Sequence, residues 1–404
     1  MIYGLLGKTL RHSYSKIIHE WMADYTYDLY ETPEEGLRDL IFRPDAGGFN
    51  VTIPYKQTVI PFCDRLSPSA QAIGSVNTLY RDAEGRLVGD NTDYYGFSYM
   101  ARRAGISFAG RKVVILGSGG TSLTARRVAA DQGAREIVIV SRSGENHYEN
   151  LSRHSDAEIL INTTPVGMYP HNEGKLINLA DFPRCVGVLD VIYNPHRTNL
   201  ILDAEAAGIP ASGGLPMLVA QAAPAVGHFS GKEIDEAMIE DVLSRLTRQM
   251  CNLVLVGMPG CGKSTVGELL AAETGRCFVD TDALIVERAG CSIPEIFARD
   301  GEAAFRDLEA QVVADTARES GLIVATGGGV LLREENRRAL RQNSRVIFLE
   351  RALSQLPSAG RPISQSRPIE EIYAERLPLY RAAADAIIAN DGTPEETVRR
   401  ILEV

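Results

Sequence analysis

The stretch NLVLVGMPGCGKSTVGELL, Asn252 to Leu270, constrains the fold of this chain more than any other. An apolar strand runs into a glycine-rich turn and then into a helix with Val266, Leu269 and Leu270 on one face. Gly257, Gly260 and Gly262, followed by Lys263, Ser264 and Thr265, complete the pattern G-x-x-x-x-G-K-[ST]. That spacing lets backbone N–H groups turn inward around phosphate oxygens. It sets Lys263 against the outer phosphates and places the Ser264 hydroxyl to hold Mg²⁺. The helix adds the positive end of its dipole. Such a unit usually opens a domain. Here roughly 250 residues precede it, and they contain a second glycine-rich turn of a different kind, VVILGSGGTS, from Val113 to Ser122.

In this other turn Gly117, Gly119 and Gly120 follow the strand KVVIL and open a helix, with Ser122 where a third glycine would stand. Strand, turn and helix in that order read as a dinucleotide cradle. About twenty residues on, the strand EIVIV ends in Ser141, Arg142 and Ser143. A site for NAD prefers Asp or Glu there, for the ribose hydroxyls. An arginine flanked by hydroxyls suits a 2′-phosphate, which favours NADP(H). Glu145 lies nearby, with no second basic residue in evidence.

Strand-like and helix-like segments alternate along all 404 residues, which implies α/β architecture with parallel sheets. Strands are expected at Ile2–Leu6 and Gly48–Thr52, then at KVVIL, EIVIV, EILIN and VGVLDVI. A polar–apolar helix, KEIDEAMIEDVLSRLTRQM, leads straight into the strand before the phosphate loop, so the clearest domain boundary falls near Met250. A net charge of −10 argues against nucleic-acid partners, which call for clustered Lys and Arg. No apolar run reaches the roughly 18 residues of a membrane span. Cys63, Cys185, Cys251, Cys261, Cys277 and Cys291 form no C-x-x-C pair, and read as reduced thiols of a cytoplasmic protein. Cys261, inside the phosphate loop, has two readings: a thiolate favoured by the helix N-terminus, or a small packed side chain.

Three features narrow the second half. FVDTDALI puts Asp280 and Asp282 at the end of a strand beside the cradle mouth, and GEAAFRDLE puts Arg306 in a helix. IVATGGGVL ends an apolar strand in Gly327, Gly328 and Gly329, where a polyol can approach the backbone closely. RLPLYRAAAD offers Arg376 and Arg381. Together these residues resemble shikimate kinase over nearly all of 250–404. The resemblance implies that Asp282 binds substrate hydroxyls and acts as base. It further implies that Arg306 and Arg376 hold a carboxylate and that the glycine triplet lines the site. Arg361 would reach the phosphates of ATP from a lid, and Asp280 would help Ser264 position Mg²⁺. The lid sequence, ERALSQLPSAGRPIS, is shorter than the family's.

In the first half, RHSYS carries Ser13 and Ser15, and GFNVTIPYK carries Thr52 and Lys56. GSVNTL carries Asn77, GDNTDYYGF carries Asp93, and DVIYNP carries Tyr193. GGLPMLVAQAAPAV carries Gly214, Met217 and Gln221. This set resembles shikimate dehydrogenase across 1–249. By that resemblance Ser13, Ser15, Thr52, Asn77, Tyr193 and Gln221 bind the substrate, Lys56 and Asp93 are the catalytic pair, and Gly214 and Met217 flank the nicotinamide. The residue types suit the chemistry. Hydride reduction of a ketone leaves an alkoxide, and a nearby lysine held by a carboxylate can protonate it.

The expectation is therefore an α/β protein: a two-lobed dehydrogenase with a Rossmann-like NADP domain, followed by a P-loop kinase domain with a parallel sheet. The first module spans 1–249, with a substrate lobe of about 1–93 plus 218–248 and a cofactor lobe of about 94–217. The second spans 250–404. The modules would reduce 3-dehydroshikimate to shikimate and then phosphorylate it. The alternatives are a quinate/shikimate dehydrogenase using NAD fused to a kinase, and a catalytically inactive regulator. The oligomeric state stays open.

Overall fold

A computed structural model describes residues 1–10, 13–356 and 368–404. The chain divides into two compact units: Met1–Tyr193 with Thr198–Leu246, and Asn194–Arg197 with Thr247–Val404.

The first unit holds two sheets. One comprises β1 (Ile2–Gly7), β2 (Tyr27–Glu31), β3 (Ala46–Val51), β4 (Arg65–Leu66), β5 (Thr78–Arg81) and β6 (Leu87–Asp90), in the order β2-β1-β3-β5-β6-β4. It is mixed, not parallel as the alternation of elements suggests: β5 runs antiparallel to both β3 and β6. The cause is local. Between β5 and β6 lies only the turn Asp82–Arg86, with Gly85 at φ +78°. A link that short closes a hairpin but cannot make the crossover a parallel pair needs. The Asp82 carboxylate fastens the turn by accepting from the Glu84 and Arg86 backbone N–H groups.

The other sheet comprises β7 (Lys112–Leu116), β8 (Glu136–Val140), β9 (Ile159–Asn162), β10 (Gly187–Asp190) and β11 (Ala211–Ser212). All its pairings are parallel, in the order β11-β10-β9-β7-β8. Val113 to Leu116 are fully buried, as expected of an inner strand covered on both faces. The direction of strand progression reverses between β7 and β9, the place where such sheets bind ligands at their carboxyl ends. Gly117 sits there, immediately after β7.

The helix foreseen from Lys232 begins at Glu236 and ends at Met250. Asp235 stops it from starting earlier by accepting from the Met238 backbone N–H at 2.9 Å, an N-cap bond. On this helix Glu240 accepts from Arg103 at 2.7 Å, and the Arg245 guanidinium lies 4.1 Å over the Trp21 ring.

The second unit contains β12 (Asn252–Val256), β13 (Phe278–Asp280), β14 (Ile323–Ala325), β15 (Ser344–Glu350) and β16 (Ala386–Ala389), all parallel, in the order β13-β14-β12-β15-β16. Val254, Leu255, Val256, Val346, Ile347 and Phe348 form its core with Leu270 and Tyr380. The phosphate loop follows the central strand and opens the helix Lys263–Thr274. Among the described residues no helix is long and apolar enough to cross a membrane.

Candidate active sites

In the first unit Lys56 and Asp93 come from the turn after β3 and from the first residue of the helix Asp93–Arg103. The Lys56 ammonium donates to Asp93 Oδ2 at 2.5 Å, with the side chains 23% and 13% exposed. The pair is half-sheltered and still open to a substrate. Its surroundings are tightly wired. The Lys56 carbonyl accepts from Val76 N–H at 2.8 Å, which brings it beside Asn77. Asn77 Oδ1 accepts from Thr92 N–H at 2.7 Å, and the Thr92 hydroxyl donates to Gln221 Oε1 at 3.3 Å. Thr92 thus links two sequence-predicted substrate residues and directly precedes Asp93. Its place in GDNTD was the only signal for it. Gly96 lets the helix Leu215–Ala220, which ends at Gln221, come close, since a Cβ there would lie 2.6 Å from the Met217 carbonyl.

Ser15 opens a helix, and its backbone N–H donates to Ser13 Oγ at 3.2 Å. Between them Tyr14 meets the Tyr193 ring edge-on at 6.2 Å. Burial pushes the Tyr193 phenol up, keeping it a neutral donor. Thr52 follows β3, its N–H donating to the Leu6 carbonyl at 2.9 Å.

The dinucleotide turn has the geometry that its glycines allow. Gly117 has φ +107°, and a Cβ would fall 2.7 Å from Thr163 Oγ1. Ser122, in place of the third glycine, is buried and donates to the Gly119 carbonyl at 2.5 Å, so its hydroxyl closes the turn. At Gly119 and Gly120 a Cβ would meet nothing; that side of the turn is open. Gly214 abuts the Val191 carbonyl, and Met217 is buried. Arg142 is exposed just after β8. Beside it the Ser141 hydroxyl donates to the Ser143 carbonyl. From there to β9 the chain makes one short 3-10 helix, Tyr148–His154.

In the second unit a cavity of about 580 Å³ is bordered by the phosphate loop, Asp280, Asp282, Arg306, Glu309, the glycine triplet and Arg376. Its size is that of a small-molecule site. Lys263 is folded onto its own loop, donating to the Gly257 and Met258 carbonyls at 3.0 Å each. The Ser264 hydroxyl donates to Asp280 Oδ2 at 2.7 Å. Asp280 ends β13, and its other oxygen caps the next helix by accepting from Asp282 N–H at 2.9 Å. Asp282 therefore lies in the first turn of that helix, Thr281–Ala289, and not at the strand end assigned from sequence. An N-cap at Asp280 starts the helix there.

Arg306 and Arg376 are buried, 6% and 5% exposed. Arg306 follows a break in its helix at Gly301, and donates to Glu309 at 2.8 Å and to Glu302 at 3.3 Å. Arg376 Nε is buried with no hydrogen-bond partner among the described residues, and the side chain borders the cavity. The glycine triplet makes room for the protein's own side chains. A Cβ on Gly327 would fall 2.6 Å from Asp282, one on Gly328 2.6 Å from Pro259, and one on Gly329 2.6 Å from Arg306. Glu309 was missed from sequence, although FRDLE sets it three residues after Arg306 on one helix face. Burial pushes its carboxyl up, and Arg306 and Arg376 oppose that. Arg381 lies outside the site, paired with Glu350 on the surface. Arg361 lies outside the described residues. Cys261 is fully buried in the core, which decides for the packed reading over an accessible thiolate.

Known proteins share both halves. The family model of the shikimate dehydrogenase substrate binding domain matches residues 5–79, and that of shikimate kinase matches residues 259–404. A shikimate dehydrogenase (NADP(+)) of Clostridium perfringens is 33% identical over 61% of this chain and 98% of its own length. A chorismate mutase/shikimate 5-dehydrogenase fusion protein from Clostridium acetobutylicum has a crystal structure that is 34% identical. It covers 61% of this chain and 96% of that one, with a TM-score of 0.58. A quinate dehydrogenase from Corynebacterium glutamicum, in complex with NAD, is 26% identical over 60% of this chain and 99% of its own, with a TM-score of 0.56. The chain belongs to the shikimate dehydrogenase family and carries a shikimate kinase domain over residues 259–404.

Proposed function

We propose that the chain performs two consecutive steps on one carbon skeleton: reduction of 3-dehydroshikimate to shikimate with NADPH, then phosphorylation of shikimate with MgATP to shikimate 3-phosphate. The observation that carries the reading is the pairing of chemistries. Lys56 and Asp93 stand 2.5 Å apart in one unit, and two buried guanidiniums share a cavity with a phosphate loop in the other.

In the first site bound NADPH supplies the hydride. Lys56 sits where its ammonium can protonate the oxygen that becomes negative, and Asp93 holds that ammonium in place. Asn77 and Gln221, fixed through Thr92, and Ser13, Ser15, Thr52 and Tyr193 hold the ring hydroxyls and carboxylate. The open side of Gly119 and Gly120 fits a pyrophosphate, and Arg142 a 2′-phosphate. Gly214 and Met217 would flank the nicotinamide.

In the second site MgATP supplies the phosphoryl group. The residues present fit it. Gly257, Gly260, Gly262 and Thr265 line the cradle, Lys263 is free to leave its loop carbonyls for phosphate oxygens, and Ser264 with Asp280 offers adjacent oxygens to Mg²⁺. Arg306 and Arg376 hold the carboxylate and Asp282 takes the hydroxyl proton. Gly327, Gly328 and Gly329 keep the wall close, and Arg361 would approach the phosphates.

The substrate lobe is assigned to about 1–93 plus 218–248, the cofactor lobe to about 94–217, and the kinase module to 250–404. Six free cysteines suit a reducing cytoplasm. A second reading of the first site, quinate oxidation with NAD, draws on the NAD-bound quinate dehydrogenase and on Glu145 beside Arg142. One experiment tests the two activities. The chain is given 3-dehydroshikimate, NADPH and MgATP, with each cofactor omitted in turn. Shikimate should accumulate without ATP and shikimate 3-phosphate with everything present. In a parallel reaction given quinate and NAD, oxidation of quinate, with no shikimate formed in the first, would favour the second reading.

A further inference from the structure

The phosphate loop is braced from behind. Asn390 directly follows β16 and is buried, and its backbone N–H donates to the Glu350 carbonyl at 2.8 Å. Its Oδ1 accepts from the Thr397 hydroxyl at 2.7 Å, and its Nδ2 donates to the Cys261 carbonyl at 2.5 Å. Thr397 is fully buried. The Cys261 carbonyl fixes which end of the amide faces the loop, because only the nitrogen can donate to it, and the Thr397 hydroxyl, which also lies 3.2 Å from the Thr393 carbonyl, holds the other end.

In a trans peptide the carbonyl and the next N–H point in opposite directions. Asn390 and Cys261 lie outside the cavity lining, so a Cys261 carbonyl held by Asn390 leaves the Gly262 N–H on the opposite side of the peptide. Gly262 borders the cavity. It has φ +97°, and a Cβ there would lie 2.9 Å from Asn390 Nδ2, so the brace reaches the loop only across a glycine.

We propose that Asn390 is a positioning residue of the kinase site, whose amide, held in place by Thr397, sets the Cys261–Gly262 peptide so that the Gly262 N–H faces the nucleotide's polyphosphate. The proposal rests on the reading of this loop as the ATP-phosphate cradle. An aspartate at this position would keep the Thr397 bond but set an oxygen against the Cys261 carbonyl.

The test uses the full chain and calorimetric titration with inorganic tripolyphosphate, MgADP, adenosine and, separately, shikimate. Asn390→Asp should weaken tripolyphosphate and MgADP by about tenfold or more, because a buried carbonyl loses its donor. Adenosine and shikimate affinities should stay near normal. Thr397→Val should give a smaller loss of about threefold, and Thr397→Ser should restore it. Unchanged tripolyphosphate affinity in Asn390→Asp, or a loss confined to adenosine, would overturn the proposal, since Asn390 would then serve packing or the base. If Asn390→Asp does not fold, equal tripolyphosphate affinities in Thr397→Val and Thr397→Ser overturn it. Wild-type protein that binds tripolyphosphate but not shikimate would sink the shikimate-kinase reading and leave the brace standing.

Discussion

Replacing Arg306 by alanine probes the second site where its charge is most deeply held. The Arg306 and Glu309 side chains are 8% and 2% exposed and lie 2.8 Å apart, whereas Glu302, the outer partner, is 61% exposed and contributes little. Without the guanidinium, Glu309 keeps a carboxyl that burial already pushes up. Removing one partner of a buried pair costs about 3–5 kcal/mol. Two features reduce that here: Arg376 also acts on Glu309, and the adjoining cavity of about 580 Å³ admits water. The expected loss of stability in the second unit is about 2–3 kcal/mol. Adding Glu309→Gln should recover about half, since a neutral amide replaces the stranded charge and the two sites are coupled. The sequence supplies its own control. Its one tryptophan, Trp21, lies in the first unit, so tryptophan fluorescence in urea follows that unit while circular dichroism follows both. Arg306→Ala should move part of the dichroism transition to lower urea and leave the fluorescence transition in place. Its KM for shikimate should rise with little change in KM for ATP. A loss below about 0.5 kcal/mol, or a double variant no more stable than the single, would refute the reasoning.

Three further outcomes are expected. Lys56→Ala should lower ketone reduction by about 10²- to 10⁴-fold and leave shikimate phosphorylation near normal, and Lys263→Ala should do the reverse; a several-fold fall in the untouched activity of a folded variant would mean the units are energetically coupled. Arg142→Ala should weaken NADPH far more than NADH in binding titrations, and equal losses would show that Arg142 does not read the 2′-phosphate. His19→Phe should flatten the acid limb of the first unit's stability. Burial lowers the His19 imidazole from 6.5 to about 3, so the folded state excludes a proton that the unfolded chain accepts. The stability this gives is full above about 6.5 and drains as pH falls towards 3. The ring stacks on Tyr27 at 4.0 Å and its buried Nε2 has no partner among the described residues, so a phenyl fits the space, but it gives up the 2.7 Å bond between Nδ1 and the Tyr25 hydroxyl and should lower stability at neutral pH as well. An unchanged urea midpoint-against-pH slope would assign the acid limb to other groups.

Both nucleotide turns were legible because they are local. A glycine at positive φ, a strand before it and a helix after it are written in adjacent residues, and Gly117, Gly257 and Gly262 do take φ of +107°, +149° and +97°. The parallel sheets of the cofactor lobe and of the second unit follow from the same short-range alternation. The antiparallel β5 lies outside that alternation, because the turn Asp82–Arg86 is too short for a crossover and closes a hairpin. The start of the helix at Glu236 hung on one capping carboxylate.

Tertiary structure decided the rest, since it sets which distant side chains meet and which way each one faces. Lys56 and Asp93 are far apart in the chain, and only the fold makes them an ion pair. Sequence left Cys261 between an accessible thiolate and a packed side chain; its direction out of the loop is set by the core behind it. Glu309, Thr92 and Asn390 carry no motif of their own. Each matters through a hydrogen bond to a residue that does: Arg306, Asn77 and Cys261. A sequence states the backbone conformations a loop requires. It does not state which buried partner will satisfy a given carbonyl or guanidinium, because that partner is chosen by packing among elements remote along the chain.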